Sequence, residues 1–191
     1  MSLTPFAFSQ FDPTTGDLPG ATLVERRLSD LGAAFADASA YAQTLAQHDP
    51  LLYTVASLQP DAQQDALFYA MGKLLPGRIG AEYYMTKGHY HTLRSAPEVY
   101  IGLRGDGLML LEDETGASRA QPLLANSIVY VPGHTAHRTI NVGDESLIYL
   151  TICPLAAGHD YAAIARQNFR QVVICVDGKP VVVERTAFQP R

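Results

Sequence analysis

Short apolar runs separated by turn residues dominate the chain from residue 51 onward. The runs are LLYTVASL, ALFYAMGKLL, AEYYMT, VYIGLRG, GLMLLED, SIVYVP and SLIYLTIC. Turn signals lie between them at Pro60–Asp61, Pro76–Gly77, Asp106–Gly107, Thr115–Gly116 and Gly143–Asp144. Many short strands at regular spacing are typical of a sandwich or a small barrel. We therefore predict an all-β fold.

One helical pattern precedes these runs. In the segment DASAYAQTLAQH, residues 37–48, Asp37 is a candidate N-cap, and the apolar side chains of Tyr41 and Leu45 are one helical turn apart. The pattern stops at Asp49–Pro50, as a helix does before proline. The first 28 residues contain several prolines and glycines, so we expect turns and short extended pieces there, forming an arm on the domain surface.

The chain after Pro154 is predicted to form a short helix, Tyr161–Gln167, and then a hairpin. The segment QVVICVDGKPVVVE places Asp177–Gly178 between valine-rich runs, which is a strong hairpin signal. We find no repeat, low-complexity tract or linker, and 191 residues suit one domain. We predict a single domain over 1–191, with an N-terminal arm and helix (1–50), a barrel core (51–154), and a short helix with the C-terminal hairpin (155–191).

Composition limits the classes of partner. The net charge is -5, with a pI near 5.6, so there is no basic excess to neutralise nucleic-acid phosphates. Cys153 and Cys175 lie in apolar, strand-like runs, and we expect no structural disulfide. No apolar run approaches about 18 residues, and the N-terminus lacks a basic stretch followed by an apolar one. We expect no membrane partner and a cytoplasmic protein.

Candidate chemistry is concentrated in two segments, TKGHYH and PGHTAHRTIN. His89 and His91 project from the same side of a strand, because side chains alternate along a strand with period two. Glu98 follows after six residues, and His137 comes from a later predicted strand. Three imidazoles and one carboxylate suit a divalent transition metal such as iron, manganese, nickel or zinc. Four ligands leave coordination positions open, so chemistry at the metal is possible.

Any one of these histidines alone would most often be structural, but together they form a recognisable pattern. An HxH pair, a carboxylate and then PxxxxHxxxN from Pro132 to Asn141 resemble the two-part signature of the cupin barrel. We expect His134 to be a loop residue and not a fifth ligand. Gly102, Gly105 and Gly107 superficially match a phosphate loop, but no βαβ context follows them, so we interpret them as turn glycines.

The chain also resembles one family within the cupins, the cupin-type glucose-6-phosphate isomerases. The strings EYYMTKGHYH, PEVYIGLRGDGLMLLED, YVPGHTAHRTINVGDESLIYLTICP and AGHDYAAIA carry the resemblance, which extends from about Tyr53 to Glu184. The gap between His91 and Glu98 and the GHDY at residues 158–161 match this family more specifically. The resemblance implies a cupin (double-stranded β-helix, jelly-roll) barrel with a few short helices. It also implies interconversion of glucose 6-phosphate and fructose 6-phosphate, a reaction of glycolysis and gluconeogenesis.

Roles for individual residues follow from the same resemblance. The metal ligands would be His89, His91, Glu98 and His137, holding one divalent ion per chain, with Fe(II) preferred and Mn(II), Ni(II) or Zn(II) as alternatives. The sugar-phosphate pocket would contain Tyr53, Thr86, Gly88, Tyr100 and Tyr161. Ordinary strand packing is an alternative for Thr86 and Tyr100. The family is dimeric, so we expect a homodimer.

Glu98 is the candidate catalytic base, with His159 and Tyr161 steering a hydroxyl, opening the sugar ring or relaying protons. A direct hydride shift between the two carbons would need no base, and the sequence does not choose between the routes. The chain departs from the family where Met71 and Gly72 offer no hydroxyl for a phosphate oxygen. Two other functions therefore stay open, a non-catalytic cupin that binds sugar or metal and a cupin Fe(II) oxygenase.

Overall fold

The computed structural model describes residues 8–59 and 66–190, and antiparallel β-strands make up most of this part of the chain. The strands are β1 (Thr22–Arg27), β2 (Leu51–Leu58), β3 (Leu67–Leu74), β4 (Arg78–Ile79), β5 (Glu82–Tyr83), β6 (Glu98–Arg104), β7 (Asp106–Asp113), β8 (Ser118–Leu124), β9 (Ile128–Val131), β10 (Thr135–Asn141), β11 (Leu147–Pro154), β12 (Gln171–Val176) and β13 (Lys179–Glu184). This architecture confirms the all-β prediction.

Three sheets surround the core. The largest has six strands in the order β1-β2-β3-β11-β6-β9. A three-stranded sheet has the order β10-β7-β8, and a four-stranded sheet has the order β13-β12-β5-β4. The main apolar cluster includes Leu52, Leu74, Met109, Leu110, Ile140, Leu147 and Ile164. Full burial of each large apolar side chain contributes about 1.5–3 kcal/mol, so this cluster is the chief source of stability.

The two predicted helices are present. Helix α1 spans Ala38–Gln47, and the Asp37 carboxylate accepts a hydrogen bond from the Ala40 amide at 2.9 Å, which confirms Asp37 as the N-cap. Helix α2 spans Tyr161–Gln167 and is capped in the same way by Asp160. Short 3-10 helices occupy Leu28–Asp30, Gly32–Ala34 and Leu155–Ala157. These are the few short helices expected beside the barrel.

The N-terminal region differs from the predicted surface arm. Its strand β1 pairs antiparallel with β2 and forms one edge of the six-stranded sheet, so this sheet begins before residue 51. Val24 and Arg26 are half-buried and alternate with exposed residues. This alternation contains too few large apolar residues to stand out as a strand in the sequence. The described part of the arm therefore includes a strand of the main sheet, and the half-buried face of this strand is turned toward the interior of the domain.

Two further details differ from the sequence prediction. Strand β8 was not predicted, because it contains Pro122 and buries only Leu123. Asp106–Gly107 opens β7, and the turn lies at Gly105, whose φ is 79°. A Cβ at Gly105 would lie 2.6 Å from the Ser146 carbonyl oxygen, so a side chain is excluded there. The predicted turn at Pro60–Asp61 lies outside the described residues.

The C-terminal hairpin forms as predicted. Val176 pairs with Lys179, and the two residues between them, Asp177 and Gly178, have φ of 50° and 77°. Positive φ at both positions is the type I′ geometry of tight hairpins. Cys153 and Cys175 are both free thiols. Within residues 8–59 and 66–190, we find no helix with the length and apolar character needed to cross a bilayer.

Candidate metal centre and active-site cavity

A cavity of about 160 Å³ lies against the inner face of the six-stranded sheet. Strands β1, β2, β3, β6 and β11 supply one wall, and the segments around residues 86–89 and 159–161 supply the other. Its lining consists of Val24, Arg26, Tyr53, Val55, Phe68, Ala70, Gly72, Thr86, Gly88, His89, Glu98, Tyr100, Tyr149, Thr151, His159 and Tyr161. The cavity thus combines an imidazole and carboxylate end with several hydroxyl groups.

His89 and His137 are brought together by backbone pairing. The His89 amide donates to the His137 carbonyl at 3.2 Å, and the His137 amide donates to the His89 carbonyl at 3.0 Å. Their ring centroids are 4.3 Å apart. His91 projects to the same side as His89, with a centroid separation of 5.5 Å. The HxH segment therefore presents both rings to strand β10, as the period-two argument predicted.

The four predicted ligands can hold one ion. One ligand atom from each of His89, His91, Glu98 and His137 lies within 4.8 Å of the others. His91 Nδ1 is 2.8 Å from the Ala96 carbonyl oxygen, and a carbonyl only accepts, so Nδ1 carries the proton. This contact fixes the ring orientation in the way that supporting contacts fix metal-bound histidines.

Two buried nitrogen atoms also indicate a metal. Nε2 of His89 and Nε2 of His137 have no hydrogen-bond partner among the described residues, although both are buried. His137 Nε2 lies 2.8 Å from Glu98 Oε2, but outside hydrogen-bond geometry. A buried polar atom without a partner is costly, and a metal ion would satisfy both nitrogens. The donor set therefore fits a divalent cation.

The Glu98 carboxylate is held from both of its oxygens. Oε1 accepts a hydrogen bond from the Thr151 hydroxyl, and Oε2 lies 3.0 Å from His91 Nε2. Burial alone would raise the pKa of Glu98, but the hydrogen bonds and charges of the surrounding histidines hold that pKa well below its usual value. Glu98 is therefore an ionised carboxylate, which is the form that binds a cation.

The histidines differ in their electrostatic environment. Burial, together with the nearby His137 and His159, lowers the pKa of His89 well below its usual value. Burial would also lower the pKa of His91, but its hydrogen bonds to Glu98 and to the Ala96 carbonyl raise that pKa. The raised pKa of His91 and the lowered pKa of Glu98 both show that the carboxylate favours a positive charge beside it, which a bound cation would supply.

His159 and Tyr161 lie beside the cluster. The His159 ring centroid is 4.4 Å from that of His89, and the Tyr161 ring stacks on His159 at 5.7 Å with an interplanar angle of 8°. Burial lowers the pKa of His159, so its imidazole is neutral near pH 7. Asp160 between them pairs with Tyr90 through the backbone and with Arg94 at 2.6 Å. These contacts hold the turn that carries both side chains.

The remaining predicted pocket residues also line the cavity. Tyr53 accepts a hydrogen bond from the Lys87 amide at 3.4 Å, and burial raises the pKa of Tyr53 to about 12. Gly88 has a φ of 75°, and a Cβ there would lie 2.7 Å from the Phe169 ring, which explains the glycine. Tyr100 is buried, with its ring centroid 5.7 Å from that of His137. Every predicted site residue thus lies in the cavity or in the ligand cluster behind it.

Three polar residues of the cavity lining were not predicted from the sequence, namely Arg26, Tyr149 and Thr151. Tyr149 and Thr151 alternate on β11, and that alternation was a usable signal because residues two apart share a face. Arg26 had no such signal, since β1 was not predicted. His134 lies outside the cluster, with a half-exposed ring 3.2 Å from Glu114, which confirms its interpretation as a loop residue.

Solved structures of oxalate decarboxylases match part of this chain at low similarity. That of Lactobacillus farciminis has a TM-score of 0.46 at 20% identity and covers 57% of this chain and 30% of that one. That of Bacillus subtilis at pH 4.6 has a TM-score of 0.45 at 23% identity, covering 56% of this chain and 27% of that one. Similarities this low carry no argument about the reaction.

Sequence relatives are far closer. A protein of Pyrococcus abyssi named glucose-6-phosphate isomerase is 41% identical over 178 residues, which is 93% of this chain and 94% of the relative. A protein of the same name from Sinorhizobium medicae is 35% identical over 175 residues, 91% of this chain and 82% of the relative. The family model described as glucose-6-phosphate isomerase (GPI) matches residues 25–191. The chain belongs to the cupin-type glucose-6-phosphate isomerase family.

Proposed function

We propose that this protein is a metal-dependent aldose-ketose isomerase that interconverts glucose 6-phosphate and fructose 6-phosphate. The observation that carries the proposal is the ligand cluster His89, His91, Glu98 and His137 at one end of a cavity lined with hydroxyl groups. Both the name of the relatives and the chemistry of this cavity support that reaction. It would serve glycolysis and gluconeogenesis in the cytoplasm.

The proposed reaction moves a hydrogen between C2 and C1 while charge develops on the adjoining oxygens. A divalent ion held by the four ligands would supply Lewis-acid stabilisation of that charge, worth several kcal/mol. Glu98 is the one carboxylate in the cavity among the described lining residues. It is therefore the candidate base for the enediol route.

The base role of Glu98 conflicts with its environment. A base works best with a pKa near the ambient pH, yet the pKa of Glu98 is held well below its usual value. Thr151 holds Oε1, and Oε2 lies beside His91 and His137, so proton transfer at Oε2 would require the contacts of Oε2 to be released. A direct hydride shift between C1 and C2 avoids this conflict, and deuterium labelling distinguishes the two routes.

His159 and Tyr161 are proposed to act on the other substrate oxygens. The imidazole of His159 is neutral and offers a donor on one nitrogen and an acceptor on the other. Burial raises the pKa of Tyr161, which keeps its phenol protonated as a donor. Their stacked arrangement fits a pair that binds the ring hydroxyl and relays its proton during ring opening.

The far end of the cavity suits an anion. Arg26 is the one lysine or arginine among its described lining residues, and within the described residues it forms no salt bridge. Its charge is therefore available to a ligand. The hydroxyls of Tyr53 and Thr86 line the same cavity. We propose a sugar phosphate as the substrate for this reason.

Metal dependence is tested by removing the metal. Dialysis against a chelator is expected to abolish fructose 6-phosphate turnover, and Fe(II) or Mn(II) to restore it, with Ni(II) and Zn(II) as the comparison ions. Affinities follow the Irving–Williams order whereas occupancy follows availability, so metal analysis of the purified protein identifies the native ion. Turnover that persists in metal-free protein would sink the metal-dependent mechanism.

The same assay separates the alternative functions. A non-catalytic cupin would bind fructose 6-phosphate without converting it, and an oxygenase would consume oxygen. We expect conversion without oxygen uptake.

We also propose that residues 1–191 form one domain and that two chains form a homodimer.

A further inference from the structure

Tyr149 occupies space that exists only because residue 72 is glycine. In the six-stranded sheet, Gly72 of β3 pairs with Val55 on one side and with Tyr149 on the other. A Cβ built on Gly72 would lie 2.2 Å from Tyr149 Cζ and 2.6 Å from Tyr149 Oη. These distances are far below van der Waals contact. Any side chain at position 72 would therefore displace the Tyr149 ring or its hydroxyl.

The Tyr149 hydroxyl belongs to a chain of hydroxyl groups that ends in the cavity. Tyr149 Oη is 3.1 Å from Thr139 Oγ1, and Thr139 Oγ1 donates to Thr86 Oγ1 at 3.3 Å. The Thr86 oxygen also accepts from the Thr139 amide at 3.0 Å, so the Thr86 proton remains available to a ligand. Thr139 has a single hydroxyl proton, so while Thr139 donates to Thr86 the Tyr149 hydroxyl donates to Thr139. When Thr139 donates to Tyr149 instead, the protons of Tyr149 and Thr86 are both free to bind one anion.

The position of Tyr149 matches the far end of a substrate. Thr151, which contacts Glu98, marks the reacting end of the cavity. Tyr149 is two residues away on the same strand and face, about 7 Å along β11. Arg26 lies further in the same direction, since it pairs with Tyr53 in the next row of the sheet. A sugar with C1 and C2 at Glu98 carries its C6 phosphate toward these groups.

We propose that Tyr149 donates a hydrogen bond to the phosphate group of the sugar phosphate, replacing the hydroxyl that β3 lacks at Met71 and Gly72. This inference rests on the proposed function. Arg26 supplies positive charge, and Gly72 leaves the space that the phenol occupies. The hydrogen bond from Tyr149 then favours binding of phosphorylated over unphosphorylated sugars.

The test replaces Tyr149 with Phe, which keeps the ring and removes the hydroxyl. Loss of one hydrogen bond to a charged group is expected to raise the KM for fructose 6-phosphate about 10-fold or more, with kcat little changed. Competitive inhibition by inorganic phosphate should weaken by a similar factor, whereas inhibition by sorbitol, which has no phosphate, should stay the same. Tyr130→Phe removes an exposed phenol from β9 and is the matched control.

Gly72→Ala provides a second variant should Tyr149→Phe fold poorly. It keeps the phenol but forces it away from its present position, so phosphate inhibition should again weaken more than sorbitol inhibition. Unchanged KM and phosphate inhibition in both variants would overturn the inference, and so would equal weakening of phosphate and sorbitol, because that pattern indicates a purely structural role.

Calorimetry of phosphate binding tests the role of Tyr149 independently of whether the protein is an isomerase. If the wild type does not convert fructose 6-phosphate, but Tyr149→Phe weakens phosphate binding, the isomerase proposal fails and the role of Tyr149 stands. If the wild type is active and Tyr149→Phe binds phosphate as tightly as the wild type, only the role of Tyr149 fails. A wild-type protein that does not bind phosphate overturns the Tyr149 inference as well.

Discussion

Thr151 donates a hydrogen bond to Oε1 of Glu98, joining β11 to β6 within the cavity wall. The same hydroxyl is 3.3 Å from the Val99 carbonyl oxygen. Because one oxygen of Glu98 is occupied in this way, the other faces His91 and His137. Thr151 therefore orients a predicted metal ligand without belonging to the ligand set.

Thr151→Val should weaken metal binding at the site, while the valine side chain keeps the shape of threonine. The variant leaves Oε1 of a buried carboxylate unpaired, which costs about 1–3 kcal/mol. Loss of a contact that orients a ligand typically lowers metal affinity or activity about 10- to 100-fold. Metal titration and turnover at saturating metal are the measurements.

Thr151→Ser is the matched control, since it keeps the hydroxyl and removes one methyl group. It should retain most of the metal affinity. Equal metal affinity in the Val variant and the wild type would show that Thr151 does not position Glu98.

Glu98→Gln tests the base against the ligand role. Glutamine keeps the shape and one carbonyl oxygen but removes the charge and the basicity, so turnover should fall by a factor of about 10² to 10⁴ if proton transfer dominates. Metal content must be measured in the same sample. Near-normal turnover at full metal occupancy would refute the base assignment.

Deuterium labelling completes the Glu98 experiment. Product formed by the wild type in heavy water should carry solvent deuterium at the transferred position if Glu98 acts through an enediol. A shielded base can return the same hydrogen, so absence of deuterium is decisive only in combination with normal turnover of Glu98→Gln. That combination supports the hydride shift.

Glu82 should make stability depend on pH. Its carboxylate is fully buried; Oε1 accepts from the Ala36 and Asp37 amides at 2.8 and 2.9 Å, whereas Oε2 has no partner among the described residues. Burial raises the pKa of Glu82, with the two amides opposing it. Because Glu82 binds its proton more tightly in the folded state than in the unfolded state, it stabilises the fold at pH values below its pKa in the unfolded chain. That stabilisation is lost as the pH rises through its pKa in the folded protein.

The melting temperature of Glu82→Gln, relative to that of the wild type, should therefore increase as pH rises from about 4 to 7. Thermal melts across that range measure the difference. Glu184→Gln removes an exposed negative charge and serves as the control. A difference between Glu82→Gln and the wild type that does not vary with pH would contradict the argument.

Assembly gives a further prediction. The six-stranded sheet leaves β1 and β9 as its edges, and Leu23, Ile128 and Tyr130 on these strands are more than half exposed. Exposed apolar edges favour pairing with another chain. Light scattering at micromolar concentration should give about twice the chain mass of 20.7 kDa. A mass near that of one chain would count against the homodimer.

The sequence predicted the elements whose signals are local. Strand β2, helix α2 and the turn at Asp177–Gly178 have apolar runs, a helical pattern or a tight-turn pair that needs no tertiary context. Strand β8 lacked such a signal, since only Leu123 is buried and Pro122 interrupts it. Its partner β7 provides the hydrogen bonds that define it.

The same distinction applies to the site. The HxH spacing placed His89 and His91 on one side, Glu98 and His137 completed a donor set suited to a metal, and the cupin resemblance then matched all four to ligand positions. Arg26 and Tyr149 reach the cavity only through strand pairing between distant parts of the chain, which no local pattern reveals. The absence of a hydroxyl at Gly72 was visible in the sequence, but the phenol that fills its space was not.

The backbone bridge between His89 and His137 also has a consequence for the lifetime of the folded state. It joins segments about 50 residues apart, and an ion bound by both rings would cross-link them in the native state alone. Ligand that binds only the folded form adds about 2.7 kcal/mol at 100 times its Kd. The melting temperature should then rise with metal concentration even without substrate. The metal concentration would thus determine the fraction of the protein that stays folded, as well as its turnover rate.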